Sequence, residues 1–129
     1  MADRTELRTK VYRLHDGKCA WCGFPLSHKH FEVHEVFVKR GSVPVNKQHL
    51  IMVLENCVPL HPDCHREHGQ SREMKQRCLD VLIEKLGAQC IGIWYSSLWF
   101  DHGLSVPRGQ ILSSSNWREY LEGVIGVEE

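Results

Sequence analysis

The chain predicts an α+β domain in which two strands and a short helix gather around a structural metal site, with further helices before and after. Three observations point there. Metal-ligand spacings recur at Cys19-Ala20-Trp21-Cys22 and His61-Pro62-Asp63-Cys64, a β-rich segment lies between them, and helical periodicity runs on either side. The 129 residues sit in the ordinary single-domain range, with no repeat or low-complexity tract. One domain over 1–129 is expected, with a metal-stapled core over 19–69 and a helical extension over 70–129.

A first helix is expected over residues 4–15, where Leu7, Val11 and Leu14 recur at helical spacing before Asp16-Gly17 ends it. Cys19 to Gly23 forms a knuckle, whose two-residue spacer lets both sulfurs face one ion while Gly23 permits the turn behind them. Phe31 to Val38 is dense in β-branched and aromatic residues and reads as a strand. Gly41 to Asn46 reads as a loop, and His49 to Leu54 as a second strand antiparallel to the first. A second knuckle follows at His61 to Cys64. Pro62 is tolerated in a first helical turn, so a short helix starts there and carries Cys64, His65 and His68 until Gly69.

Ser71 to Leu86 reads as an amphipathic helix, with Met74, Cys78, Val81, Leu82 and Leu86 on its apolar face and Gly87 as its stop. Ile91 to Leu98 is a shorter element contributing Ile91, Trp94, Tyr95 and Leu98, and 101–114 reads as a loop. Asn116 with Glu119 resembles a capping box, after which Trp117, Tyr120, Leu121, Val124 and Ile125 follow helical spacing. These stripes read as core. A nucleic-acid stacking surface is the alternative, but basic residues do not interleave densely enough to support it.

Cys19, Cys22, His61 and Cys64 together would close a tetrahedral zinc site of three thiolates and one imidazole, leaving no position for water. Such a site is structural: it pins two segments far apart in sequence, which a small chain achieves poorly by hydrophobic burial alone. A disulfide is the first competing reading. The N-terminal Met1-Ala2-Asp3-Arg4-Thr5-Glu6 lacks the charged start and apolar core of a signal peptide, so a cytoplasmic location is expected and an oxidising compartment is not implied. A thioredoxin-type pair is the second, but it needs a helix after the cysteines, where Gly23-Phe24-Pro25 stands instead. Cys57, Cys78 and Cys90 sit among apolar residues and read as buried small hydrophobes.

Acidic and basic residues balance at 16 each, so the global field steers no nucleic acid and any such binding must come from a local patch. This argues against a dedicated DNA coat or scaffold. No apolar run approaches transmembrane length, so no membrane partner is expected.

The segments Val33-His34-Glu35-Val36-Phe37-Val38-Lys39-Arg40-Gly41 and Glu55-Asn56-Cys57-Val58-Pro59-Leu60-His61, with both knuckles and the final Cys64-His65, resemble the HNH endonucleases of the zinc-stapled ββα-metal type. The likeness covers roughly the first half of the chain and is nearest to a subgroup common in phages and their hosts, which tends to use His in place of the third zinc cysteine. It implies DNA as partner and hydrolysis of phosphodiester bonds with one catalytic divalent ion, such as magnesium, manganese or nickel, besides the structural zinc.

The resemblance also implies roles. His65 would be a ligand of the catalytic ion, against the plainer reading of a solvated helix residue, and Asn56 would hold the base in position, against that of a turn or cap residue. The departure lies at His34-Glu35, where the family carries His-His or Asp-His. By position His34 would bind metal and Glu35 act as base, but an imidazole near its ordinary pKa of about 6.5 suits base work better than a carboxylate near 4.3, so the roles could be exchanged. Strand neighbours point to opposite faces, so one of the two could also face solvent. His68, one turn after His65, could reach the ion or the phosphate, or be a solvated surface group. Lys39, Arg40, Lys47, Arg66 and Arg72 flank the motif and are candidates for phosphate contacts, though any one alone reads as an ordinary surface charge. A non-catalytic zinc module that binds DNA or protein on the same scaffold is the alternative function.

Overall fold

The computed structural model describes residues 4–69 and 71–104. Within them the chain is a small α+β fold with one two-stranded antiparallel sheet and four α-helices. Helix α1 spans Arg4–Leu14 and is followed by the first knuckle; strand β1 is Glu32–Glu35 and strand β2 is Cys57–Leu60. Helices α2 (Pro62–His68), α3 (Arg72–Leu86) and α4 (Ala88–Phe100) complete it. None of these helices is long and apolar enough to cross a membrane. The helix expected after Asn116 and most of the 101–114 loop lie outside the described residues.

Helix α1 ends where the sequence places its stop. Asp16 and Gly17 take φ of +56° and +66° in succession, and a Cβ at Gly17 would lie 2.9 Å from the Tyr12 ring, so the second position requires glycine. Pro62 occupies the first turn of α2, where its missing N–H costs nothing. Helix α3 is capped by Ser71, whose hydroxyl accepts from the Met74 N–H at 3.0 Å. Gly87, at φ +91°, separates α3 from α4 and lets the two helices pack against each other.

The second strand lies downstream of its expected position. His49 and Leu50 end a 3-10 segment, Val45–Leu50, and the ladder forms at Cys57–Leu60 instead, pairing Glu32 with Leu60, Val33 with Pro59, His34 with Val58 and Glu35 with Cys57. Pro59 hides this strand from a reading by propensity, because proline removes a ladder donor. Its carbonyl accepts from Ala20 N–H at 3.0 Å, on the side away from β1, so the missing N–H falls where no ladder partner waits. All four β2 residues are buried, which explains a continuous run with no alternation.

The first strand is shorter than expected for a related reason. The Val36 N–H still donates to the Asn56 carbonyl at 2.8 Å, but the next two N–H groups, of Phe37 and Val38, turn to the Asn56 side-chain oxygen at 2.8 and 3.2 Å. Val36, Phe37 and Val38 leave the ladder and enter the core, joining Leu26, Phe31, Ile51, Val58 and Leu60 with the inner faces of α3 and α4. Leu79 is buried in that face beside Met74, Cys78 and Leu82. On α4 Ile91, Tyr95 and Leu98 are buried, while the half-exposed Trp94 donates its Nε1–H to the Leu50 carbonyl at 2.9 Å.

Candidate metal centre and histidine cleft

The first knuckle is shaped by its backbone. Gly23 N–H donates to Cys19 O at 2.9 Å, Cys19 N–H to Phe24 O at 3.0 Å, and Gly23 takes φ +77° to close the turn. At the second, β2 delivers His61 and α2 opens at once, so Cys64 stands on the first turn of that helix. The four ligand atoms of Cys19, Cys22, His61 and Cys64 all lie within 4.8 Å of one another. His61 Nδ1 is 3.3 Å from Cys22 Sγ and 3.8 Å from Cys64 Sγ. Its Nε2 lies 3.0 Å from the Pro25 carbonyl, so the proton sits there and Nδ1 turns a lone pair to the sulfurs, the tautomer a ligating histidine needs.

Electrostatics bear on the same point. Burial acts to raise the Cys19 thiol, but N–H groups around its sulfur, among them Trp21 at 3.4 Å and His61 at 3.5 Å, outweigh it and bring the pKa down to about 7. Cys64 goes the other way, pushed up to about 12 by desolvation and by the neighbouring Cys19 and Cys22 sulfurs. Sulfurs so placed resist ionising together unless a cation shares them, and three thiolates with one imidazole are the donor set that zinc prefers. The cluster could therefore hold a structural zinc.

All six cysteines are unbridged. Cys57 and Cys78 are fully buried with thiols raised to about 12, chiefly by burial, in keeping with their reading as small hydrophobes. Cys90 is only half-buried and faces Glu55 Oε2 at 3.6 Å. Around the knuckle, the His68 ring stacks on Trp21 at 4.3 Å, and the Arg77 guanidinium lies 4.2 Å from the same ring and donates to the Trp21 carbonyl at 2.6 Å. His68 thus joins α2 to the knuckle.

Beside the cluster, strand periodicity sorts β1 into two faces. Glu32 and His34 meet α2: His34 Nδ1 is 3.1 Å from His65 Nε2, and His65 Nδ1 is 2.7 Å from Glu32 Oε1. A carboxylate can only accept there, so His65 carries its proton on Nδ1 and presents a bare Nε2 to His34. His34 is buried, and burial first, with the charges of His65 and Lys39 second, lowers its pKa to about 4, leaving it neutral near pH 7. Two imidazole nitrogens 3.1 Å apart suit a shared cation at the usual metal–nitrogen length of about 2.0–2.1 Å.

Glu35 points to the opposite face and is held by Arg40, whose Nε lies 2.8 Å from one carboxylate oxygen and whose backbone N–H donates to the other at 3.0 Å. Glu32, Glu35, Arg40 and His65 line one open cleft of about 550 Å³, which Leu7 and Arg8 of α1 also line. Asn56 is fully buried. Besides accepting from Phe37 and Val38, its amide donates to the carbonyls of Val38 and Ile51 at 2.9 Å each, so all of its bonds go to backbone. Asn56 acts as a clamp that fixes the loop between the strands.

Among the basic residues, Lys39 is exposed, Arg66 pairs with Asp63, Lys47 donates to the His102 carbonyl at 2.9 Å, and Arg72 is exposed on α3. Two cleft residues, Glu32 and Arg8, escaped the sequence reading. Period-two alternation from His34 would have found Glu32. Nothing in the sequence near Arg8 signals that α1 lines the cleft. No protein-family model, curated protein or solved structure matches the chain.

Proposed function

We propose that the protein is an HNH-type endonuclease that hydrolyses DNA phosphodiester bonds with one catalytic divalent ion, its fold stapled by a structural zinc. The observation that carries this reading is the His34–His65 pair, with nitrogens 3.1 Å apart, whose His65 lines an open cleft beside the Cys3His cluster. The strand, clamped loop, strand and helix order supports it.

In this reading His34 and His65 hold the ion, and Glu32 fixes the ring of His65 and its tautomer. A divalent ion held there would neutralise charge at the phosphate and lower the cost of deprotonating water. Glu32 is engaged by His65, and Glu35, which lines the same cleft from the other face of β1, would take the proton of an attacking water once Arg40 releases it. Water oxygen bonds to phosphorus as a phosphorus–oxygen ester bond breaks, and the leaving oxygen takes up a proton. Purified protein should nick plasmid with magnesium, manganese or nickel and stop with chelator, and His34→Ala and His65→Ala should each lose at least about 100-fold in rate. Retention of full cutting by both variants sinks the reading.

The Glu35–Arg40 pair favours a second reading, because a carboxylate held by two donors is poorly free to act as base. The scaffold would then be a non-catalytic zinc module that binds DNA or protein. Such a protein retains one zinc per chain, binds its partner, and cleaves with none of the three ions.

A further inference from the structure

Arg8 stands on α1, outside every motif of the core, yet it lines the cleft that holds His65 and Glu32. Its guanidinium carbon lies 3.9 Å from the centroid of the Phe31 ring, the residue just before β1, so the side chain is folded against the sheet entrance. Of the other cations nearby, Arg40 is committed to Glu35 and Lys10 to Glu6, while Lys39 is exposed and its charge reaches His34. Among the described residues no carboxylate pairs with Arg8 and no oxygen accepts from its N–H donors. A half-buried guanidinium held by a ring contact, its planar fork unspent, is suited to a phosphate, which it grips with two parallel N–H bonds.

We infer that Arg8 binds a backbone phosphate of the nucleic acid beside the His65 face, so that α1 forms one wall of the DNA track. This rests on the nuclease reading for the identity of the ligand. The ring contact with Phe31 sets the guanidinium in place before the phosphate arrives, lowering the ordering cost that a free surface arginine would carry. The global charge balance of 16 acidic and 16 basic residues gives no long-range attraction, so an uncommitted cation lining the cleft counts for more than it would on a basic protein.

Arg8 also covers the buried Phe31, so the test must separate charge from cover. Arg8→Met keeps an apolar stem over the ring and removes the charge, while Arg8→Lys keeps the charge and loses the fork. Binding of a short fluorescent duplex of mixed sequence is titrated against salt, without added divalent ion and with zinc in place. Plasmid nicking is measured in parallel. Arg8→Met should bind about 10-fold more weakly at low salt, and its slope of log affinity against log salt should be shallower by about 0.9, the signature of one lost phosphate contact. Arg8→Lys should keep the parent slope. Melting of both variants within a few degrees of the parent shows the fold intact.

An Arg8→Met variant that binds with the parent's affinity and slope overturns the inference, and if the parent nicks plasmid the nuclease reading survives that result. Loss of binding and slope in Arg8→Met, with no cutting by the parent under any ion, upholds Arg8 and removes the nuclease. A parent that neither binds nor cuts DNA removes both.

Discussion

The Cys3His cluster and the histidine cleft lie side by side on the same short helix, yet they are built on opposite principles. In the cluster, four ligands from two knuckles face one another, backbone N–H groups aim at a sulfur, and Pro25 holds the imidazole. Every donor is turned inward. In the cleft, His65 and Glu32 are partly exposed, with side-chain relative exposures of 32% and 49%, while His34 is buried beside His65. The lesson is one of coordination: a shell closed by protein holds chains together, whereas an open one leaves positions for water and substrate.

Metal removal breaks the comparison most directly. Zinc binding of the order of 10–16 kcal/mol in small zinc domains exceeds the usual stability of a domain, about 5–15 kcal/mol, so a strong chelator, or Cys64→Ser, should leave the chain largely unfolded. Circular dichroism and a zinc count of one per chain check this. A chelated protein that retains its helix signal and melting point would mean that the core alone carries the fold.

Next comes Asn56→Ala, which strands two N–H groups and two carbonyls in the interior and should cost about 3 kcal/mol or more in urea unfolding. Asn56→Asp should be no milder, because its carboxylate cannot donate to Val38 and Ile51. A loss under about 1 kcal/mol in the alanine variant would show that the loop is fixed by packing alone.

A smaller effect should appear in acid on the stapled side. His15, in the turn between α1 and the first knuckle, is buried with neither ring nitrogen bonded among the described residues, and its pKa falls to about 4 through burial first and nearby Lys85 second, with Asp16 opposing. The folded-state value lies below the unfolded one of about 6.5, so the unfolded chain takes up the proton first. Stability is therefore intact above about pH 6.5 and is lost as pH falls toward 4, by an amount of the order of 2–3 kcal/mol. His15→Leu should flatten this loss relative to the parent. Parallel pH–stability curves for the two proteins would show that His15 is not the cause.

The smallest stability change is expected at the cleft. His65→Ala removes a partly exposed pair with Glu32 and the contact to His34, and should shift unfolding by about 1 kcal/mol; on the nuclease reading it also removes cleavage. A large destabilisation there would make the His65–Glu32 contact a fold device and erase the contrast with the cluster.

How much of this could be read beforehand differs between the two regions. The cluster was legible because a two-residue spacing geometrically commits both ligands to one ion, whatever the rest of the chain does. Helices α1, α2 and α3 were legible from period, proline and glycine, with ends within a residue or two of the reading. The second strand was not, because Pro59 and an unbroken buried run obscure a strand covered on both faces. His49 to Leu54 looked like one from its apolar content alone, although only Ile51 of that stretch is fully buried. Asn56 was singled out, but its work as a four-bond clamp depends on where residues 36–38 and 51 come to rest.

By itself, then, the sequence determined which side chains can share a soft cation, where the helices begin and stop, and that His34 and Glu35 lie on opposite faces of β1. These depend on spacing and local sterics, which the chain carries wherever it folds. Tertiary structure alone decided that Glu35 is claimed by Arg40, that Glu32 orients His65, and that α1 brings Arg8 to the same cleft. Those pairings join residues on separate elements or around a turn, and only packing of the core settles which charged groups end close enough to touch.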